Sequence, residues 1–371
     1  MLSFWEKGSF VTYDYIVVGA GITGLSVACE LMEQHADASV LVLERGLLPT
    51  GASTKNAGFA CIGSLSENLH DIGLMGENGL VKLVQNRYEG LQILRDRLGD
   101  TNIGYEACGG YEIVLQGEDN DFIDKLDDMN VLLYPLFNKN IFSLCNEKIS
   151  EFGLSTAHAN KLIHNAEEGQ IDTGKMMNSL WMYAQRLGVK IITGAELKTI
   201  DESTQGVSLA TQEITFYAQK VFICTNAFTK SLFPNLEIKP GRGQVLVTKP
   251  IQDLKVKGTF FFDEGYYYFK NFEDRIIFGG GRNLDFENES TLHFGSNQKI
   301  LAQLNTYLKE LILPHTPYEI DYTWSGIMAF GSNKLPIVEQ ISQRQFLGVR
   351  LNGMGVALGS KIAKDLVNMA K

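Results

Sequence analysis

Apolar positions along the chain fall into two periods, and the changes between them mark out the elements. Tyr15-Ile16-Val17-Val18 is a short, largely β-branched run suited to a buried parallel strand. Leu25, Ala28, Cys29, Leu31 and Met32 then recur on one side of a helix, and Val40-Leu41-Val42-Leu43 returns to strand. From Ser64 to about Leu98 the spacing is helical, with Leu80, Val81, Leu83 and Val84 ahead of Tyr88, Leu91 and Leu94. Tyr111, Ile113 and Leu115 alternate with Glu112 and Val114, which predicts a strand. Asp119 to Asn130 is polar and reads as helix or loop, interrupted by Tyr134-Pro135-Leu136. Met176, Leu180, Met182, Tyr183 and Leu187 predict a helix leading into a strand at Val189-Lys190-Ile191-Ile192, and Val221-Phe222-Ile223-Cys224 predicts another buried strand.

Between Pro240 and about Thr316 the period-two pattern takes over. GRGQVLVT, GTFFFDEGYYYFKNFED and RIIFGGG read as antiparallel strands joined by polar turns, and Ile300, Leu304, Tyr307, Leu308 and Leu311 predict a covering helix. The expected fold class is α/β: a Rossmann-like dinucleotide-binding domain with a second α+β domain built on a mostly antiparallel sheet. The first is assigned residues 1–85, 150–235 and 320–371, and the second 86–149 and 236–319.

A chain of 371 residues is long enough for two such units. Its net charge of -10 argues against nucleic acid or an anionic membrane as the main partner. The five cysteines, Cys29, Cys61, Cys108, Cys145 and Cys224, lie far apart with no C-x-x-C pair, so no metal is expected. The apolar run at Tyr15 follows Glu6, Lys7 and Asp14 and turns into glycines, which suits a strand better than an export signal. No integral membrane segment is expected, the cytoplasm is the default location, and a homo-oligomer stays open. Phe4, Trp5 and Phe10 in the lead-in cover a hydrophobic edge or meet a partner.

The candidate chemistry begins between the first two strands. Gly19-Ala20-Gly21-Ile22-Thr23-Gly24 matches G-x-G-x-x-G. Gly19 suits a tight turn, Gly21 lets a diphosphate approach the backbone, and Gly24 lets the helix lie close to the sheet. Free amides at the helix start can hold that diphosphate. Glu44, at the carboxyl end of the second strand, can accept hydrogen bonds from ribose hydroxyls, with Arg45 beside it. Gly51-Ala52-Ser53-Thr54-Lys55-Asn56-Ala57-Gly58 adds small residues and polar donors that extend the nucleotide groove.

YIVVGAGITGLSVACEL followed by LVLERG and GASTKNAGF resembles the paired amino-terminal pattern of the FAD-dependent D-amino acid oxidase (DAO) family, which includes glycine, sarcosine and γ-glutamylputrescine oxidases. The resemblance extends to Trp324-Ser325-Gly326, Leu335-Pro336-Ile337 and the glycine-rich loop Asn352-Gly353-Met354-Gly355-Val356 before a last helix, and so covers nearly the whole chain. It implies FAD as the cofactor, with Ser53, Thr54, Lys55, Asn56 and Ala57 as contacts and Gly58 and Phe59 near the isoalloxazine. It also places Val189 near the adenine or ribose, though a buried strand valine needs no ligand to explain it. Thr225-Asn226-Ala227 is placed at the diphosphate, unless it only caps a helix. Gly326 and the last loop are placed on the flavin, with the final helix directing its positive end at the ring.

The implied activity is oxidation of a C–N bond in an amine or amino acid by hydride transfer to flavin N5, with oxygen or another electron acceptor completing the cycle. Alternatives are an FAD dehydrogenase acting on a hydroxylated or unusual substrate, and a flavin-bound sensory or structural protein with little turnover. One departure bears on the substrate. Many relatives carry Gly-x-Arg-Pro after the tryptophan, where arginine grips a carboxylate, whereas this chain has Gly326-Ile327-Met328-Ala329. A methionine cannot replace a bidentate donor. Arg350 is the candidate substitute if it faces inward. Arg242 and Arg282 serve either an anionic substrate or the structure. Strand alternation puts Tyr266 and Tyr268 on one face and Tyr267 on the other, which makes the first two the cavity pair. Tyr105 and Tyr111 line a cavity or pack in a core. No histidine stands out as a base.

Overall fold

The computed structural model describes residues 2–118 and 121–371. Two large sheets organise it. The first runs in the order Ile337–Gln340, Gln345–Val349, Thr215–Ile223, Thr12–Val18, Val40–Leu43, Lys190–Ile192, with Gly206–Ala210 and Thr199–Ser203 attached to the side of Thr215–Ile223. Its central pairings are parallel, and Val40–Leu43 is buried at every position. This accounts for the unbroken apolar runs: a strand covered on both faces has no solvent side to mark with polar residues.

Helix Ile22–Gln34 packs on this sheet through a glycine contact. A Cβ on Gly24 would lie 1.8 Å from the Gly19 carbonyl oxygen, so no larger residue fits. The final helix, Gly355–Met369, lies against both Ile22–Gln34 and the long helix Leu65–Leu98, again through small residues. Gly359 abuts Ile22, Gly90 abuts the Ala357 carbonyl, and the Ser26 and Ser360 hydroxyls meet at 3.2 Å inside the core. Leu65–Leu98 kinks at Gly76, whose φ of 72° is non-helical.

The second sheet runs Ile320–Phe330, Lys239–Thr248, Arg275–Gly280, Tyr267–Phe272, Thr259–Phe262, Gly110–Leu115, Ala159–Asn165, Phe142–Leu144. Its pairings are antiparallel except between Thr259–Phe262 and Gly110–Leu115. One face is covered by helix Gln298–Tyr307 over an aromatic core. Phe260 stacks on Phe269 at 4.7 Å, Phe262 on Tyr267 at 4.9 Å, and Tyr111 on Phe260 at 5.1 Å. Burying each such ring contributes roughly 2–3 kcal/mol. Tyr111 is thus a core residue, and Tyr105 lies under the Arg95 guanidinium at 3.9 Å.

Three expectations change. Ala159–Asn165 and Ile320–Phe330 belong to the second sheet although they fall within stretches assigned to the nucleotide domain. Alternation identifies a strand but not the sheet that it joins. Pro135 does not end its segment either, because Leu126–Phe137 is one helix containing it. It sits in the last turn, where a missing N–H costs one bond, and Asn138 closes the helix in the left-handed conformation. Asp119 and Asn120, in the polar stretch read as helix or loop, lie outside the described residues. No helix among the described residues is long and apolar enough to cross a membrane, and no cluster of three or more His, Cys, Asp or Glu there could hold a metal ion.

Candidate active site

A cleft of about 820 Å³ runs from the carboxyl ends of the first sheet to the exposed face of the second. Its first half is made mostly of main chain. Gly19 has a φ of 103°, and a Cβ there would meet the Cys224 carbonyl at 2.8 Å. Gly21 is the N-cap of helix Ile22–Gln34 and has no side chain to offer, so the Ile22 N–H donates to Ser53 Oγ at 2.9 Å. A Cβ on Gly21 would come within 2.8 Å of that oxygen. Thr23 follows in the first turn and also lines the cleft.

Glu44 is 6% exposed and is aimed by two backbone donors, Ala20 N–H at 3.0 Å and Gly46 N–H at 2.9 Å. Arg45 lies beside it with its guanidinium 3.4 Å from the Phe228 ring centroid. Ala195, Glu196 and Leu197 complete this end of the cleft. Val189 does not reach it. Its side chain is buried in the hydrophobic core and its N–H donates to the Ala184 carbonyl, so the expected adenine contact is displaced. The wall comes instead from the segment after strand Lys190–Ile192, which has no periodic apolar signal.

The Gly51–Gly58 segment crosses the middle. Ser53, Lys55, Asn56 and Ala57 line the cleft. Asn56 is held by the Ser53 carbonyl, the Gly58 N–H and the Thr173 hydroxyl. Thr54 points elsewhere: it is exposed and its hydroxyl donates to the Pro49 carbonyl at 2.6 Å, which makes it a brace of its own turn. Gly58 has a φ of 80°, and a Cβ there would collide with the Ile171 carbonyl. Trp324 ties the second sheet to this loop by donating from Nε1 to the Lys55 carbonyl at 2.9 Å, and Gly326 lets the Lys55 side chain pass.

On the far side, Thr225 and Asn226 line the cleft while Ala227 is buried beneath them. The terminal loop follows, with Asn352 at φ 50° and Gly353 at φ 85°. Asn352, Gly353, Met354, Gly355 and Val356 all line the cleft, where helix Gly355–Met369 directs its amino end into it.

The second half is made of side chains. Tyr268, Phe261 and Phe59 form an aromatic wall, with Phe59 5.0 Å from Phe261 and 5.5 Å from Tyr268. Burial pushes the Tyr268 phenol up to about 12, so it stays protonated. Tyr266, in the turn before strand Tyr267–Phe272, lines the same cleft, and Tyr267 is 2% exposed on the opposite, core side. Phe261, which the sequence reading did not single out, alternates with core residues Phe260 and Phe262 and was legible in that alternation.

Arg350 is a correction. Its guanidinium is 7% exposed and is taken up by the Glu237 carbonyl and carboxylate, the Leu335 carbonyl and Asn333 Oδ1, all at 2.9–3.2 Å. It clasps the segment before strand Ile337–Gln340 and does not line the cleft. A φ of 62° at Arg350 turns the chain so that its side chain lies under Gly331, while its N–H binds Asn226 Oδ1. Arg242 is likewise occupied, by both oxygens of the buried Glu289 at 2.7 and 2.9 Å. Arg282 does line the cleft.

Two carboxyls belong to the surroundings of the cleft, Glu67 half-buried in its lining and Glu168 buried outside it. Glu168 accepts the Ile62 and Gly63 amides at 2.8 and 2.9 Å, and burial pushes it up to about 7. Burial also works to raise Glu67, but the Arg87 and Lys334 charges outweigh it and hold the group below the usual range. His70, on the same helix as Glu67, is exposed at the cleft's edge.

The cleft thus joins main-chain glycine loops, two helix amino ends and a buried, oriented carboxylate to an aromatic wall. Residues 14–369 match the DAO family, described as FAD dependent oxidoreductase. The chain belongs to this family. It is 24% identical to a probable oxidoreductase, OrdL, of Haemophilus influenzae, over 93% of this chain and 80% of that protein. It is 21% identical to a bifunctional ThiO/ThiG protein of Trichormus variabilis over 88% of this chain, and spans only 48% of that relative. Among solved structures it superposes on L-proline dehydrogenase from P. horikoshii with a TM-score of 0.79 at 16% identity, covering 97% of this chain and 94% of the other. With glycine oxidase from Geobacillus kaustophilus the TM-score is 0.77 at 20% identity, covering 97% and 96%. This family member therefore has the FAD-binding fold, and its cleft offers groups that suit a dinucleotide: amide donors in the glycine cradle at Gly19–Gly24 and at the amino end of the final helix, and the oriented Glu44 carboxylate as an acceptor.

Proposed function

We propose that this protein holds FAD and oxidises the C–N bond of an amine or amino acid. The observation that carries the reading is the continuity of the cleft, from a backbone-lined dinucleotide groove to an aromatic wall at Phe59, Phe261 and Tyr268. Bound in that groove, FAD supplies a two-electron acceptor that takes hydride from the carbon beside the nitrogen. Glu44 would hold the ribose, the Gly19–Gly24 loop and the start of helix Ile22–Gln34 the diphosphate, and the Asn352–Val356 loop the ring.

The chain's remaining tasks are placement and dehydration. Phe59, Phe261, Tyr268 and Met328 line the reacting end with apolar surface, which disfavours an ammonium and favours the neutral amine that can donate hydride. Tyr268, kept protonated by burial, can hydrogen-bond that amine without carrying charge. No ionisable base is required at the carbon, because the hydride leaves with its electron pair. Hydride loss from the neutral amine leaves an iminium cation, which water hydrolyses to a carbonyl compound and ammonium. The two glycine oxidases and the amino acid deaminases among its structural neighbours support a nitrogen-bearing donor by analogy of fold.

The test is anaerobic mixing of the flavin-loaded protein with amines, amino acids and alcohols of matched carbon skeleton. Bleaching of flavin absorbance by a nitrogen compound and not by its alcohol is the expected result. Reduction by alcohols alone would overturn the reading. Reoxidation by oxygen against a quinone then assigns oxidase or dehydrogenase.

A further inference from the structure

Two elements that carry the reacting end of the cleft run on from it and meet again at its edge. Phe59 of the aromatic wall leads through residues 60–63 to Ser64, whose hydroxyl caps helix Leu65–Leu98 at the Glu67 N–H. A Cβ on Gly243 would meet both Met328 Cε at 3.0 Å and the Tyr268 hydroxyl at 3.7 Å, which puts Met328 at the same end. Its strand, Ile320–Phe330, then runs out into the loop 331–336. Glu67 and Leu74 from the helix and Ser332, Asn333 and Lys334 from the loop all line the cleft. Lys334 joins these two banks: its Nζ lies 2.9 Å from Asp71 Oδ1 and 3.4 Å from Glu67 Oε1.

Each bank is held by partners of its own. On the loop side, the Ser332 N–H and hydroxyl donate to the two Glu237 carboxylate oxygens at 2.7 and 3.0 Å, and Arg350 grips Asn333 Oδ1 and the Leu335 carbonyl. The residues on either side of Lys334 are therefore tied down. On the helix side, the buried Arg87 donates to the Ile62 carbonyl at 2.9 Å and to Glu67 at 3.2 Å, and it lies 4.0 Å from Asp71. What crosses between the banks is a flexible four-carbon stem ending in an ammonium, and that side chain is 31% exposed. It can change rotamer while both backbones stay where they are.

The acidic bank accounts for the observed position. Asp71 is fully buried, and among the described residues its ion-pair partners are Lys334 and the more distant Arg87. Burial pushes the Asp71 carboxyl up, and the Lys334 charge opposes that rise. If Lys334 turned out to solvent, Asp71 and Glu67 would share one guanidinium that already stands nearer Glu67.

We propose that Lys334 is a removable bar across this edge of the cleft. With its ammonium on Asp71 and Glu67, access to the reacting end from this side is blocked. With the side chain turned outward, a donor enters and a product leaves between two banks that do not move. Closure keeps water from the aromatic wall while hydride is transferred. A partly exposed ion pair gives closure only a small bias, so the bar opens by a rotamer change and needs no domain movement.

The inference rests on flavin occupying the groove and not on the class of donor, and its test needs no amine. Acrylamide, a small uncharged quencher, is titrated against the flavin fluorescence of the loaded protein. In Lys334→Met the quenching constant should rise roughly 2- to 6-fold, the factor by which a partly exposed pair favours the closed position. Lys334→Arg keeps the bar and should behave as the parent does. Raising salt from about 0.01 M to about 1 M shortens the screening length from roughly 30 Å to roughly 3 Å, so access should widen in the parent and stay constant in Lys334→Met. Lys249→Met removes a charge paired with Glu319 away from the cleft and should change nothing. Flavin content and circular dichroism matching the parent exclude misfolding; if Lys334→Met loses its flavin, the salt series on the parent decides, and a flat series sinks the proposal. Equal quenching in parent and Lys334→Met would overturn it, as would the same rise in Lys334→Arg. Wider access in Lys334→Met with no flavin reduction by any amine would leave the bar standing and remove the C–N oxidation reading.

Discussion

The two halves of the cleft are built from different materials. The nucleotide half is made of backbone: glycines at 19, 21 and 24, the amino ends of two helices, and a carboxylate aimed by two amides. The substrate half is made of side chains projecting from one face of an antiparallel sheet, among them Tyr268, Phe261, Met328 and Arg282. Backbone sites are specific to the shape of a diphosphate and tolerate little substitution. Side-chain sites can change their ligand by exchanging one residue.

The largest test of this contrast is on the backbone side. Gly21→Val places branched atoms where Ser53 Oγ and the helix start come together, and it should lower FAD affinity by at least roughly 100-fold. Flavin occupancy after dialysis measures this, and full occupancy in the variant would break the idea that the main chain itself is the binding surface.

Arg350→Met sharpens the other side. Removing a buried guanidinium with four acceptors leaves the Glu237 carbonyl without its donor and the Leu335 carbonyl with only the longer bond from Asn352, so stability should fall by about 2–4 kcal/mol. Chemical denaturation reads the loss, while the concentration of amine needed to reduce the remaining folded enzyme should not move. A change in that concentration would return Arg350 to the substrate site.

Glu168, buried outside the cleft against the Ile62 and Gly63 amides, gives a pH signature. Its folded pKa of about 7 exceeds the ordinary 4.5, so the folded state binds more protons across that interval and stability falls as pH rises from about 4.5 to about 7. Glu168→Gln keeps an acceptor for the Ile62 and Gly63 amides and removes the titration. The variant should gain up to about 3 kcal/mol relative to the parent above pH 7, with the difference vanishing near pH 4.5. Parallel stability–pH curves would show that the carboxyl is ionised in the folded protein at low cost.

The same contrast explains what could be read from the sequence. Gly19–Gly24, Glu44 and the terminal glycine loop announce themselves because close backbone approach leaves few residue choices. The Tyr266–Tyr268 run was legible because period two separates its faces. Arg350 and Val189 were not. Arg350 sits beside Leu351, which lines the cleft, but a φ of 62° sends its side chain away, and Val189 faces the core at a strand start, ahead of the Ala195–Leu197 stretch that does line the cleft. Nor could sequence rank three arginines whose difference lies in partners distant along the chain. Arg242 finds Glu289 and Arg350 finds Glu237, whereas Arg282 finds only rings.

The small-residue seam between the first and last long helices has a consequence for the order of events in the cell. Gly359 on Ile22, Ser360 on Ser26 and Ala357 on Gly90 join the start of the chain to its final turns. During synthesis the glycine loop emerges more than 300 residues ahead of helix Gly355–Met369, and its own helix cannot bury that face until this partner has been made. The strand Gln345–Val349 and the Asn352–Val356 loop that lines the cleft arrive together with that helix. The cleft is thus complete only once helix Gly355–Met369 has been made, and until then the nascent protein must keep the apolar face of helix Ile22–Gln34 from aggregating.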